Sequence, residues 1–265
     1  MTQDSTQPHL IRSKDNDFFK LIKSYASAKA RKRDRVLLAE GEKTYAEALA
    51  TLKLRNTIVA ESYFDAANPK TCASPEPAQL TVFADSLFDA VADLKTSQGI
   101  IGVFEQPTVT MESLDFELLT RVVVLDGVQD PSNVGAIIRS AHCLGFQAVL
   151  LGEGSAQPFS PKVIRSSMGS VFHVPVIEAS VADYIAQLKA AGFAVVGTAL
   201  SGSADVPKSL KLALLIGSEG RGLSPDILEQ CDHIFSIKMS DSAESLNAAV
   251  ASGIAMYVLG EQQWI

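Results

Sequence analysis

A chain of 265 residues, 47% hydrophobic and 20% charged, is long and apolar enough to bury one large core or two small ones, which excludes a disordered protein. Its net charge of −7 argues against a uniformly basic nucleic-acid binder, and no apolar run reaches the length of a membrane span. Three isolated cysteines (Cys72, Cys143, Cys231) and four scattered histidines supply neither a disulfide framework nor a ligand-spaced cluster. We therefore expect a reducing cytoplasm, no metal, no membrane and, from the polar start, no signal peptide.

In chain order, the first hundred residues read as an α/β unit. Phe18, Phe19, Leu21, Ile22 and Tyr25 form an apolar stripe that predicts a helix over 17–28. A strand is predicted over 35–40, ended by Gly41, then a helix over 42–52 and a strand over 56–60. The turn-rich stretch 68–77 reads as an exposed loop. A strand over 80–84, a helix over 86–94 and a strand over 99–104 complete the unit. Segment 12–35 carries nine basic residues against three acidic ones, about +6, and such a patch can contact phosphate whatever the global charge.

The sequence Gln106-Pro-Thr-Val-Thr interrupts this pattern. It divides the chain into a first domain over 1–106, a linker over 107–118 and a second domain over 119–265. Strands are predicted beyond it over 121–125, 148–151, 171–176, 194–198, 212–216 and 233–237. They alternate with helices over 134–144, 181–191, 225–230 and 246–259, a pattern that implies a mostly parallel sheet covered on both faces.

Three stretches of this second half carry chemistry. In Asn133-Val-Gly-Ala-Ile-Ile-Arg139, Ser132 or Asn133 can cap a helix, and Gly135 permits close approach by a backbone or ligand. Arg139 lies nearly two turns beyond Asn133, so the two can project on the same side; it suits either a phosphate or a surface ion pair. In Ile216-Gly-Ser-Glu-Gly-Arg-Gly-Leu223, three glycines flank one carboxylate, Glu219, after an apolar strand. The loop lacks the Gly-Lys-Ser/Thr ending of a phosphate-binding P-loop and comes too late in its domain for a dinucleotide fingerprint. In Ile237-Lys-Met-Ser-Asp-Ser-Ala-Glu-Ser-Leu-Asn247, Ser245 is an apt helix cap and Glu244 suits the helix dipole. Asn247 has no obligatory structural task there. The helix that follows is rich in small residues and can pack closely against a sheet or another subunit.

Together, in this order and spacing, the three stretches resemble the motifs of the SpoU (TrmH) family of RNA 2′-O-ribose methyltransferases. The resemblance is close over roughly 120–260 and looser before it, where Ile11-Arg-Ser-Lys-Asp-Asn and Leu38-Ala-Glu-Gly-Glu-Lys look like an attached L30e-like substrate domain. It implies a SPOUT-type α/β methyltransferase domain with a trefoil-knotted parallel sheet, and a homodimer formed through that domain. It also implies S-adenosylmethionine as cofactor, bound by Thr198, Leu200, Ile216, Gly217, Gly220, Ile237, Met239 and Leu246. Asn133, Arg139, Glu219, Ser245 and Asn247 match positions associated with catalysis. Arg12, Lys29, Arg31, Lys32 and Arg33, with Arg139, are the candidates for RNA contact. Lys238 and Asp241 depart from the proline and glycine that many relatives carry there, so the loop they occupy is expected to differ in conformation. The implied substrate is 23S ribosomal RNA, with transfer RNA second and a catalytically silent assembly factor as the alternative.

Overall fold

The computed structural model describes residues 9–64, 79–94, 96–205, 210–240, 242 and 245–260. The predicted 68–77 loop lies outside them. The chain divides into two compact units, Met1–Pro107 and Thr108–Ile265.

The first unit is a five-stranded sheet of β1 (His9–Ile11), β2 (Val36–Glu40), β3 (Leu54–Ala60), β4 (Leu80–Phe83) and β5 (Ile100–Glu105), in the order β1-β4-β3-β5-β2. Strand β5 runs antiparallel to both neighbours, and the other pairings are parallel. Helices α1 (Asp17–Ser24), α2 (Ala28–Asp34), α3 (Glu42–Thr51) and α4 (Asp85–Asp89) accompany it. Phe83 anchors the core, its ring edge-on to Phe18 and Phe19 with centroids 6.1 and 5.7 Å away. Helix α1 starts where Asn16 Oδ1 accepts from the N–H groups of Phe18 and Phe19 at 2.9 and 3.2 Å.

The helix expected over 17–28 is shorter, and a second helix not expected from sequence follows it. Helix α1 ends at Ser24, and Arg31 on α2 turns inward, donating from Nη1 to the carbonyls of Tyr25 and Ala26 at 2.6 and 3.1 Å. A helix end leaves such carbonyls without intrahelical donors, and the buried guanidinium supplies them. Strand β1, three residues long, is too short to show a period.

The second unit is built on a six-stranded sheet. Its strands are β6 (Arg121–Asp126), β7 (Ala148–Leu151), β8 (Val176–Glu178), β9 (Ala194–Ser203), β10 (Leu212–Gly217) and β11 (His233–Phe235). They lie in the order β11-β9-β10-β6-β7-β8, every pairing parallel. Helices α5 (Pro131–Cys143), α6 (Pro161–Ser166), α7 (Val181–Ala190), α8 (Pro225–Leu228) and α9 (Ala248–Gly260) complete it. The apolar runs of β6 and β10 occupy the centre, where strands are buried on both faces. Register pairs Ile216 with Leu125 and Gly217 with Asp126, so the loops leaving these two strands begin side by side. From β6 the chain moves outward through β7 and β8, then crosses to the other side for β9 and β10. The carboxyl ends around such a reversal form the crevice where α/β sheets bind ligands.

Several expectations need correction. The stretch 107–118 is no free linker: Met111 is buried in the second core, with Leu114 and Phe116 packed against it. The strand expected over 171–176 is a 3₁₀ turn, Ser170–Phe172, and β8 begins only at Val176, because Pro175 has no N–H to give a ladder. Helix α5 starts at Pro131, whose fixed φ suits the first helical position, and Asp130 rather than Ser132 or Asn133 caps it by accepting from Ser132 N–H at 2.9 Å. Helix α6 is absent from the predicted elements, although Ser160-Pro161 is a start signal. A side chain at Gly135 would overlap Ser166 Oγ and the Val163 carbonyl, so the approach that this glycine permits is that of α6.

Arg31→Ala is expected to destabilise the protein by about 1–3 kcal/mol in chemical unfolding, because two carbonyls lose their donor inside the fold. Lys32→Ala, at an exposed neighbour, is expected to stay within about 0.5 kcal/mol of wild type; equal effects would refute the structural role of Arg31.

Candidate functional site

The carboxyl ends of β9 and β10, the segment beyond β11 and the start of α9 enclose a cavity of about 590 Å³, a size usual for small-molecule sites. Thr198 and Leu200 reach it from β9, Ile216 and Gly217 from β10, and Gly220 from the following loop. Ile237 and Met239 come from beyond β11, and Leu246 from just before α9. All eight residues that the resemblance assigned to a cofactor therefore border one space. Glu219, Ser245 and Asn247 border it as well. Arg221, Leu228, Phe235 and Ala251 also line it and were not singled out from sequence. The last three look like ordinary core residues in a sequence, whereas Arg221 stood inside a recognised motif without a role.

The glycine-rich loop is a tight, closed turn. Ser218 N–H donates to the Gly222 carbonyl at 3.2 Å, and Gly222 N–H donates back to the Ser218 carbonyl at 2.8 Å. A side chain at Gly217 would overlap the backbone of Gly222 and Leu223, and Gly222 itself has φ +68°. Glu219, Gly220 and Arg221 are thereby held at the tip of the turn.

One line of hydrogen bonds joins all three sequence motifs. Asn247 Oδ1 accepts from the N–H groups of Ala249 and Val250 at 2.9 and 3.3 Å. Asn247 Nδ2 donates to Asn133 Oδ1 at 3.0 Å, and Asn133 Nδ2 donates to Glu219 Oε1 at 2.8 Å. Burial pushes the Glu219 carboxyl up, but donation from Asn133 and from the backbone N–H groups of Glu219, Gln129 and Asp130 outweighs it and holds the group below the usual carboxylate range. Asn247 is thus the cap of α9, which corrects the assignment of that task to Ser245 and the view that Asn247 has no structural work. Helix α9 starts at Ala248, too late for Ser245 to reach its first free N–H groups. Ser245 is exposed at the cavity edge. Asp241 and Glu244 lie outside the described residues.

Arg139 does not share a side with Asn133. Asn133 is buried and Arg139 exposed, since six residues at about 100° each leave them about 120° apart around α5. The basic segment also divides on inspection. Lys29 and Lys32 are exposed on α2. Arg33 forks onto Asp34 with two bonds of 2.7 Å, and Arg12 pairs with Glu61. Arg31, buried under the end of α1, leaves the set of RNA-facing candidates. Among the described residues no cluster of three or more His, Cys, Asp or Glu could hold a metal, and no helix is long and apolar enough to cross a membrane.

Comparison with known proteins gives the same partition. A family model described as the SpoU rRNA Methylase family matches residues 120–257, and one described as the MRM3-like substrate binding domain matches residues 16–102. The chain is 34% identical over 252 residues to the 23S rRNA (guanosine(2553)-2′-O)-methyltransferase RlmP of Bacillus subtilis (strain 168), covering 94% of this chain and 98% of the relative. Among solved structures it resembles an AdoMet-bound rRNA methyltransferase from Sinorhizobium meliloti, with TM-score 0.85, 29% identity, and 98% and 100% of the two chains covered. It likewise resembles the SpoU methyltransferase AviRb from Streptomyces viridochromogenes in complex with AdoMet, with TM-score 0.83, 26% identity, and 94% and 98% covered.

Asn247→Ala is expected to cost about 1 kcal/mol in urea unfolding at pH 7, the usual cost of losing a helix cap, and Asn247→Ser, whose hydroxyl can still accept from the helix N–H groups, to recover part of it. Equal losses in the two variants would argue against a capping role. Because the Glu219 pKa is depressed, its contribution to stability is present above the ordinary carboxylate range and is lost as pH falls through the lowered value. The melting temperature of Glu219→Gln should accordingly change less than that of wild type on acidification from about pH 6 to pH 3.

Proposed function

The chain belongs to the SpoU rRNA methylase family, and from that premise we propose that it methylates a ribose 2′-hydroxyl of 23S ribosomal RNA. It is an RNA 2′-O-methyltransferase that uses S-adenosylmethionine. The observation that carries the assignment to this site is the cavity, which gathers every residue matched to the cofactor together with Glu219, Ser245 and Asn247. A mixed lining of apolar side chains, glycine backbone and few charges fits a nucleoside joined to an amino acid.

When bound, the cofactor supplies a methyl group on a sulfonium. The residues of the chain must bring a ribose 2′-oxygen in line with it and ease loss of its proton. Arg139, exposed on α5, binds RNA phosphate and so helps to hold the ribose in position for reaction; a guanidinium stays protonated and makes a poor base. Ser245 at the cavity edge positions the nucleophile. Asn133 and Glu219 hold Asn247, and through it the segment 245–247, against the cavity. Lys29 and Lys32 extend the phosphate contacts on the first unit.

The active protein is a homodimer. Val250, Ile254, Tyr257 and Val258 form one exposed stripe of α9, 51%, 37%, 55% and 44% accessible, and a second copy of the same face would cover it. The closing segment is read as a trefoil knot. Support comes from Asn247, which follows outlying β11 yet bonds to Asn133 beyond central β6, and from the packing of α9 on α5. Free Cys143 and Cys231 suit a reducing cytoplasm.

With labelled cofactor and 23S rRNA, wild type is expected to transfer methyl groups and Arg139→Ala to lose about 100-fold or more in kcat. Tight RNA binding with no transfer to any RNA would leave an assembly factor as the better reading. Lys29→Ala with Lys32→Ala should weaken RNA binding and reduce the slope of log affinity against log salt by about 1–2; an unchanged slope removes α2 from the interface. Light scattering should return the mass of two chains, and a monomer would exclude the dimer.

A further inference from the structure

We propose that Arg221 binds the amino-acid carboxylate of the cofactor, an inference that rests on the cofactor reading above. Among the described residues lining the cavity, Arg221 is the one cation and Glu219 the one anion. Glu219 is already engaged by Asn133 Nδ2 and by the backbone N–H groups of Gln129 and Asp130. Arg221 stands two residues further on, at the exposed tip of a turn closed by the paired Ser218–Gly222 hydrogen bonds. Its backbone is therefore fixed in space while its side chain stays available to the cavity.

The charges of the cofactor decide what this cation meets. S-adenosylmethionine carries a sulfonium, an ammonium and one carboxylate, so the carboxylate is the only anion it offers a guanidinium. A carboxylate entering a partly enclosed cavity loses hydration and needs a partner. The planar guanidinium fork matches it with two parallel hydrogen bonds. RNA phosphate is the competing anion, but it lies on the nucleic-acid backbone outside the pocket. There Arg139, which does not line the cavity, is the better placed cation. Anchoring the amino-acid end also restricts rotation about the sulfur, and so helps to aim the methyl group at the incoming oxygen.

The test is calorimetric titration of the full chain with S-adenosylhomocysteine and with 5′-methylthioadenosine, which keeps the nucleoside and the thioether but lacks the amino acid. Arg221→Met should weaken S-adenosylhomocysteine about 10- to 100-fold, leave 5′-methylthioadenosine within about twofold, and be partly rescued by Arg221→Lys. Equal weakening of both ligands, or of neither, overturns the proposal. So does a fall in RNA affinity with S-adenosylhomocysteine binding unchanged, which would assign Arg221 to phosphate. Wild type that binds neither ligand would sink the cofactor reading itself, and the role of Arg221 with it.

Discussion

An asparagine can cap a helix in only one sense, with its oxygen toward the free N–H groups. Asn247 spends its oxygen on Ala249 and Val250, so its amide nitrogen must point the other way, at Asn133. Asn133 then has its own oxygen occupied and its nitrogen aimed at Glu219. A carboxylate can only accept, so it terminates the line without conflict. The direction of each amide thus follows from the one before it, beginning with the geometry of α9. Segments 86 and 114 residues apart in sequence are joined by two bonds, and the line is complete only when all three motifs are in place.

The sheet makes this meeting possible. Matching register between β6 and β10 starts the segments that lead to Asn133 and Glu219 at the same height. Gly217, with no room for a side chain, lets the loop fold back on Gly222 at once instead of extending into solvent. The approach of α6 at Gly135 holds the first turn of α5 against a neighbour, which keeps Asn133 buried. At Gly135, Gly217 and Gly222 backbone geometry or a close neighbour limits the residue, whereas Gly220 has open space around it.

Most of the second unit was legible because its strands are continuous apolar runs and its site lies at their ends. Thr198, Ile216 and Ile237 were assigned to one pocket by the resemblance to the family, and the parallel sheet shows why segments leaving neighbouring strands meet there. What stayed hidden depended on three-dimensional partners. The Val171–Val176 run has strand composition, but Pro175 withholds the donor that a ladder needs. Ser245 and Asn247 are both good caps by type, and which of them serves depends on where Asn133 stands. The basic segment read as a single patch because sequence counts charges without showing where they point. Arg31 faces inward to carbonyls, and Arg33 is taken by Asp34. Only Lys29 and Lys32 on α2 keep the exposed, uncommitted character that phosphate contact requires.

Three arginines show how surroundings assign work to identical side chains. Arg31 is buried among carbonyls and answers a structural deficit left by a helix end. Arg139 lies on the outer face of α5, beyond the cavity, where a diffuse polyanion can reach it. Arg221 borders a partly enclosed cavity where the single carboxylate among the described lining residues is engaged by Asn133, which leaves the arginine available to an anion that arrives with a ligand. The net charge of −7 is no obstacle to such a division. Negative potential over the whole surface disfavours loose association with RNA, while a few placed cations act within about a Debye length. Affinity for nucleic acid then depends on position rather than on total charge, and an acidic chain can bind one site on a polyanion without adhering to all of it.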